Sequence, residues 1–130
     1  MVDFASIIGS GSIVGLDDVP RGADAYYHID SAGIFLDRSH DSGTGIVDAS
    51  ENPHDVRVAM GSGDDTIWGG RGDDSLSGGS GRDSIDAGNG DNTVSGGNDD
   101  DYITAGRGSD LLRGDNGNDT IDGGRGNDTL

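Results

Sequence analysis

From Met60 onward the chain repeats a nine-residue pattern with a single constant aliphatic position: MGSGDDTIW, GGRGDDSLS, GGSGRDSID, AGNGDNTVS, GGNDDDYIT, AGRGSDLLR, GDNGNDTID and GGRGNDTL, the last lacking its ninth residue. The eighth position is Ile67, Leu76, Ile85, Val94, Ile103, Leu112, Ile121 and Leu130. In a short strand that position faces one side while the seventh and ninth face the other. The aliphatic residues are therefore expected inside, with Ser75, Thr93, Asp86 and Arg113 pointing out. Residues 1–59 lack this strict phase, but short apolar runs recur there (SII, SIV, AYYHI, GIFL, GIV, VRV) between Gly, Asp, Ser and Pro. Such spacing predicts short strands and turns rather than helices. SGTGIVDAS, residues 42–50, keeps glycines in phase at Gly43 and Gly45.

The polar positions are as regular as the apolar one. The sixth is always Asp or Asn: Asp65, Asp74, Asp83, Asn92, Asp101, Asp110, Asp119 and Asp128. The second is Gly61, Gly70, Gly79, Gly88, Gly97, Gly106 and Gly124, broken only by Asp115. The fourth is Gly63, Gly72, Gly81, Gly90, Gly108, Gly117 and Gly126, broken only by Asp99. Glycine at these places permits positive φ in tight turns, and Asp tolerates the left-handed region better than most residues. Asp115 reads as the milder of the two departures.

Composition changes this picture in one respect. The chain has 130 residues, a net charge of −17 and only 30% hydrophobic residues, well below the ~45–50% apolar content, glycine included, of ordinary globular domains. Composition alone would suggest disorder; a phase held over eight units argues for a fold completed by a partner. All its basic residues are arginines and cysteine is absent, so neither disulfides nor thiolate metal sites exist. Such a charge balance argues against nucleic acid and anionic membranes and for cations as partners. No apolar run approaches the ~20 residues of a membrane span. MVDFASIIGSGSIVGLDD carries no basic n-region, so no N-terminal secretion signal is read there.

The nonapeptides resemble the GGxGxDxUx units of the RTX (repeats-in-toxin) calcium-binding family. The resemblance covers residues 60–130 and implies an all-β fold, a right-handed parallel β-roll or β-solenoid. In it positions one to six form a turn, seven to nine a short strand, and two units complete a coil of about eighteen residues. It further implies that Ile67, Ile85, Ile103 and Ile121 stack as one ladder, faced by Leu76, Val94, Leu112 and Leu130. Each calcium ion (Ca2+) would sit between turns two units apart, held by two position-six carboxylates and by turn carbonyls. One edge then carries Asp65, Asp83, Asp101 and Asp119; the other carries Asp74, Asn92, Asp110 and Asp128. Asn92 offers an oxygen without charge and weakens the two sites it would share. Residues 1–59 are expected to be an irregular β-rich cap over the N-terminal end of the roll, against which Trp68 could pack, or the remnant of a preceding domain. Repeat arrays generally need such a cap.

The chemistry of the residues points the same way. Aspartates one coil apart stand ~5 Å from each other and repel by about 0.8 kcal/mol in water, or ~3 kcal/mol at an effective dielectric of 20. Calcium takes six to eight oxygen ligands in flexible geometry, which carboxylates and turn carbonyls supply. Magnesium demands a stricter octahedron, and zinc or copper would prefer imidazole or thiolate.

Other motifs carry less. RGD at Arg71–Asp73 and Arg113–Asp115 is generated by the repeat itself. So are the acceptor-like triplets at Asn118 and Asn127. GSGSIVG, residues 9–15, has the wrong spacing for a dinucleotide loop. His28, His40 and His54 read as solvated loop residues. HExxH, GxSxG and EF-hand loops are absent, so no catalytic residue is assigned. The expected function is a non-catalytic calcium-binding module of a secreted bacterial protein that folds outside the cell. The alternatives are an accessory module of an enzyme, such as a polysaccharide-modifying one, and a calcium-dependent adhesion module for carbohydrate or a cell surface. In the family, type I secretion commonly uses a C-terminal signal; this chain ends at Leu130 inside a repeat and is expected to be a fragment. Its last coil is expected to self-associate through an uncovered edge.

Overall fold

The computed structural model describes residues 2–4, 13–14, 25–28 and 35–130. Thirteen strands follow in chain order. They are β1 (Val2–Phe4), β2 (Ile13–Val14), β3 (Ala25–His28), β4 (Phe35–Asp37), β5 (Gly45–Asp48), β6 (Arg57–Ala59) and β7 (Thr66–Trp68). β8 (Ser75–Ser80), β9 (Ser84–Asp86), β10 (Thr93–Asn98), β11 (Tyr102–Thr104), β12 (Leu111–Asn116) and β13 (Thr120–Asp122) complete the set. There is no helix among the described residues, hence none long and apolar enough to cross a membrane.

Odd-numbered strands form one parallel sheet in the order β1-β3-β5-β7-β9-β11-β13. Even-numbered strands form the other, β12-β10-β8-β6-β4-β2. The chain thus winds from sheet to sheet as a β-solenoid, and each turn is stacked on the one before it. Ile67 stands opposite Ile85, Ile85 opposite Ile103 and Ile103 opposite Ile121. In the other sheet Leu76, Val94 and Leu112 align. The two ladders meet in a core one side chain deep on each side, continued by Val47, Val58, Leu36 and Tyr27. Position eight is buried because the pleat allows only alternate residues to face inward; β7, β9 and β11 read half-buried or exposed, buried, then exposed or half-buried.

Three expectations need correction. Leu130 does not close the second ladder: it is 69% exposed, with only Thr129 bridging back to Leu111. Strands of the even-numbered sheet are not confined to positions seven to nine, since β8, β10 and β12 each run six residues. The reason lies at position three of that edge. Asn98 donates from Nδ2 to Ser80 Oγ at 3.0 Å, and Asn116 likewise to Asn98 Oδ1 at 3.0 Å, so the side chains bond along the stack and keep the backbone extended. On the opposite edge position three is Arg71, Asn89, Arg107 and Arg125; there the Asn89 side chain takes the Arg107 N–H at 3.1 Å instead of bonding along the stack, and only an isolated bridge between Arg107 and Arg125 forms. Finally, Asp115 is no milder a departure than Asp99: their φ angles are 70° and 78°. The Asp115 carboxylate takes a 2.5 Å hydrogen bond from Ser95 Oγ, which helps hold that turn.

Strands of residues 1–59 lie in the same two sheets, but their coils are longer. Val47 pairs with Ile67 across a step of 20 residues, like the Gly45–Asp65 contact beside it; from β6 onward the step is 18. The core prediction follows directly. Ile85→Ala, between Ile67 and Ile103, should cost about 2–5 kcal/mol, whereas Leu130→Ala should change stability by less than ~0.5 kcal/mol. Thermal unfolding of both variants under one set of folding conditions measures the contrast, and an equal loss at Leu130 would contradict the exposed end.

Candidate metal centre

Each position-six side chain does two things at once. Its Oδ1 accepts the backbone N–H of the position-six residue one coil earlier. Asp65 N–H donates to Asp83 Oδ1 at 2.8 Å, Asp83 N–H to Asp101 Oδ1 at 2.9 Å and Asp101 N–H to Asp119 Oδ1 at 3.0 Å. On the other edge Asp74 N–H donates to Asn92 Oδ1, Asn92 N–H to Asp110 Oδ1 and Asp110 N–H to Asp128 Oδ1, at 2.8, 2.8 and 3.0 Å. The structure therefore brings together the two predicted rows of four, with Asp65 to Asp110 buried and Asp119 and Asp128 half-exposed.

The second oxygen is different. Oδ2 of Asp65, Asp74, Asp83, Asp101 and Asp110 is buried and accepts no hydrogen bond. A buried, unsatisfied carboxylate oxygen costs several kcal/mol unless a positive group meets it. Asn92 shows where that group belongs. Its Nδ2 donates to Gly90 O at 3.1 Å and to Gly88 O at 3.3 Å. In this unit the carbonyls of positions two and four converge on Nδ2, which stands in the place of an aspartate Oδ2, and the Asn92 amide supplies the positive edge itself. The donor set is oxygen only, one carboxylate per unit plus turn carbonyls, which is what a hard cation such as calcium takes. No group of three or more His, Cys, Asp or Glu side chains converges among the described residues, because the coil admits one carboxylate at each stacking place and backbone must supply the rest. His40 and His54 are exposed, and the side chain of His28 lies outside the described residues.

The glycines explain how the turn approaches so closely. Gly90 has φ 115°, which a side chain rarely adopts. Gly61, Gly72 and Gly106 do not take positive φ, contrary to the simple reading of positions two and four. They are needed for space instead: a Cβ on Gly72 would lie 2.5 Å from Asp55 N. The position-one glycines, which sequence reasoning passed over, pack against the same carboxylates; a Cβ on Gly69 would lie 2.5 Å from Asp74 Oδ2.

Position five was also missed, although its recurrent Asp and Asn were in view. There Oδ1 accepts the N–H of the following coil, as Asp64 does from Arg82 and Asp73 from Asp91 at 2.9 and 2.8 Å. Positions five and six clasp adjacent coils in opposite directions. Trp68 is 38% exposed and stands between Asp48 and Asp86, so it lies along the sheet surface where the N-terminal coil meets the repeats.

Burial dominates the proton affinity of the row. It pushes Asp83 up to about 7, with the charges of Asp65 and Asp101 adding to the rise and the Asp65 N–H opposing it. Asp65 and Asp74 are pushed up to about 6, again mainly by burial. A free aspartate titrates near ~3.9. The folded, metal-free form therefore binds more protons than the unfolded chain between ~3.9 and about 7. Its stability from these groups is full at acid pH and is lost as pH rises through 6 to 7. Metal-stripped protein should gain β circular dichroism on going from about pH 8 to about pH 5, and calcium binding near pH 6 should release protons. Loss of β signal on acidification would contradict the burial of these carboxyl groups.

Residues 61–94 and 95–130 match the family model of the RTX calcium-binding nonapeptide repeat, four copies to a match. Among curated proteins and solved structures none matches the chain. The family match spans more than half of the chain, and the buried oxygen rows and converging turn carbonyls are those such repeats would need, so the chain belongs to the RTX calcium-binding nonapeptide repeat family.

Proposed function

We propose that this chain is a non-catalytic module that folds on binding several calcium ions, in a secreted bacterial protein. The observation that carries it is the row of buried, unsatisfied Oδ2 atoms on Asp65, Asp74, Asp83, Asp101 and Asp110. A cation held by these oxygens and by the carbonyls of the position-two and position-four residues offsets their burial and their mutual repulsion at one stroke. Ligands on one edge are the carboxylates of Asp65, Asp83, Asp101 and Asp119; on the other they are Asp74, Asp110 and Asp128, with Asn92 contributing less. Metal affinity is then folding free energy, because no site exists in the open chain. RTX repeats are typical of secreted bacterial proteins, and a module that stays open where calcium is scarce and closes outside fits that setting. Residues 1–59 serve as the cap of the roll in this reading. Self-association belongs to it too, since β13 is paired through β11 alone among the described strands.

Circular dichroism of metal-stripped protein at neutral pH should show little β structure, rising on calcium titration with a midpoint near the ~10⁻⁴–10⁻³ M of extracellular modules. Equal rescue by magnesium, or an identical β signal in excess chelator, would overturn the reading. The two edges should also differ. Asn92→Asp removes the amide's two hydrogen bonds and restores a carboxylate. It should weaken the metal-free form and tighten calcium binding, whereas Asp101→Asn should weaken binding more than Asn92→Ala does. Calorimetric titration of the three variants tests the order; an unchanged Asn92→Asp isotherm would remove position six from the ligand set.

A further inference from the structure

The coil before the first nonapeptide repeats the backbone pattern but not the chemistry. Gly45 N–H donates to Asp65 Oδ1 at 2.6 Å, as Asp65 N–H does to Asp83 Oδ1. Gly45 therefore holds the position-six place without a carboxylate. On the opposite edge Val56 N–H donates to Asp74 Oδ1 at 2.9 Å, so an apolar residue stands where a ligand would be. Both turns carry inserted residues. Arg38 N–H bonds Ala59 O as Met60 N–H bonds Ser77 O, and Asp41 O receives Ser62 N–H as Gly61 O receives Ser80 N–H; Ser39 and His40 between them have no counterparts. By the same correspondence Ser50 and Glu51 are inserted between Ala49 and Asn52.

These turns are filled by the chain itself. Arg38 is 3% exposed. Its Nε pairs with Asp41 Oδ2 at 2.8 Å and its guanidinium lies 5.5 Å from the centre of the Tyr27 ring. A Cβ on Gly45 would lie 2.7 Å from Arg38 Nη1 and 3.3 Å from Asp65 Oδ1, so guanidinium and carboxylate share the space that only a glycine leaves open. Opposite, Asn52 is fully buried, with its Oδ1 taking His54 N–H at 2.9 Å.

We propose that the turn of residues 38–45 is a cation site occupied by the protein's own guanidinium, Arg38, held between Asp41, Asp65 and the face of Tyr27, and that the coil it closes folds without calcium and templates the calcium-binding coils. A buried charge must be paired to be tolerated, and here the positive charge stands at the head of a row of carboxylates, paired with Asp41 and beside Asp65, where the position-six place itself carries no carboxylate. Gly45 and Val56 then present their N–H groups to Asp65 and Asp74 before any ion arrives, which fixes the register from which the next coil starts. For those later coils the inference rests on the calcium reading above.

Hydrogen exchange of the full chain separates the two claims. In metal-stripped protein at neutral pH, the amides of β5 and β7 should be protected while those of β9 to β13 gain protection only with calcium. Arg38→Ala should lower β5 and β7 protection by about 100-fold or more, the scale expected when one partner of a buried pair is removed. Guanidinium ion at a few millimolar should restore it, and the same concentration of sodium chloride should not. Arg38→Lys, which keeps charge without the planar fork, should retain part of the protection, so the test survives a failure of the alanine variant to fold. Open β5 and β7 in metal-stripped wild type, no loss in Arg38→Ala, or no response to guanidinium would overturn the proposal. Failure of β9 to β13 to respond to calcium would instead overturn the calcium reading and leave Arg38 in place.

Discussion

Everything in this solenoid depends on one hydrogen bond repeated along two edges: a position-six side-chain oxygen accepting the backbone N–H of the coil before it. It fixes the coil spacing, because a carboxylate must reach one strand separation and no further. Fixing Oδ1 in this way commits the other oxygen to a buried place. Glycine at positions one, two and four lets backbone carbonyls come to that place, and the aliphatic eighth position is then drawn under the turn. The thin core is a consequence of the arrangement as much as a cause of it. Hydrophobic burial aligns the ladders, but the polar edges determine which coil faces which.

Positions that depart from the repeat show the same constraint from the other side. Asn92 keeps the oxygen that grips the preceding coil and exchanges the other for an amide, which bonds the turn carbonyls directly. Arg38 sets a fixed positive charge beside Asp65, and this charge opposes the effect of burial on that carboxyl. In both cases the fold preserves the clasp and varies only what meets the electrostatic demand behind it. A protein group or an ion can do so, and the two differ in whether the answer depends on conditions outside the chain.

Much of the repeat region was legible because its period is strict. The inward ladder of Ile67, Ile85 and Ile103, the two rows of position-six residues and the need for a hard cation all follow from phase and residue type. What stayed hidden was the division of labour within each carboxylate, since a sequence does not say which oxygen bonds backbone. The length of β8, β10 and β12 was hidden for a similar reason: it rests on Ser80, Asn98 and Asn116 meeting along the stack, and single units give no sign that they do. Phase alone also does not give burial: Leu130 holds the right place in the pattern and is 69% exposed. The role of Arg38 was invisible because residues 1–59 carry insertions that break the period, and only the backbone pairing shows that it stands in the place of Met60.

The clasp of position six also has a direction. Each coil reaches back with two side-chain oxygens, one per edge, to hold its predecessor, while position five reaches forward from the exposed rim. The buried grips all point toward the N-terminus. Each interface between coils therefore joins two unlike faces, bonded one way through the buried position-six oxygens and the other way through the position-five rim. The stack is in this sense chemically polar: at every buried grip the coil nearer the N-terminus gives the N–H and the coil nearer the C-terminus gives the oxygen, so the two faces of any one coil differ.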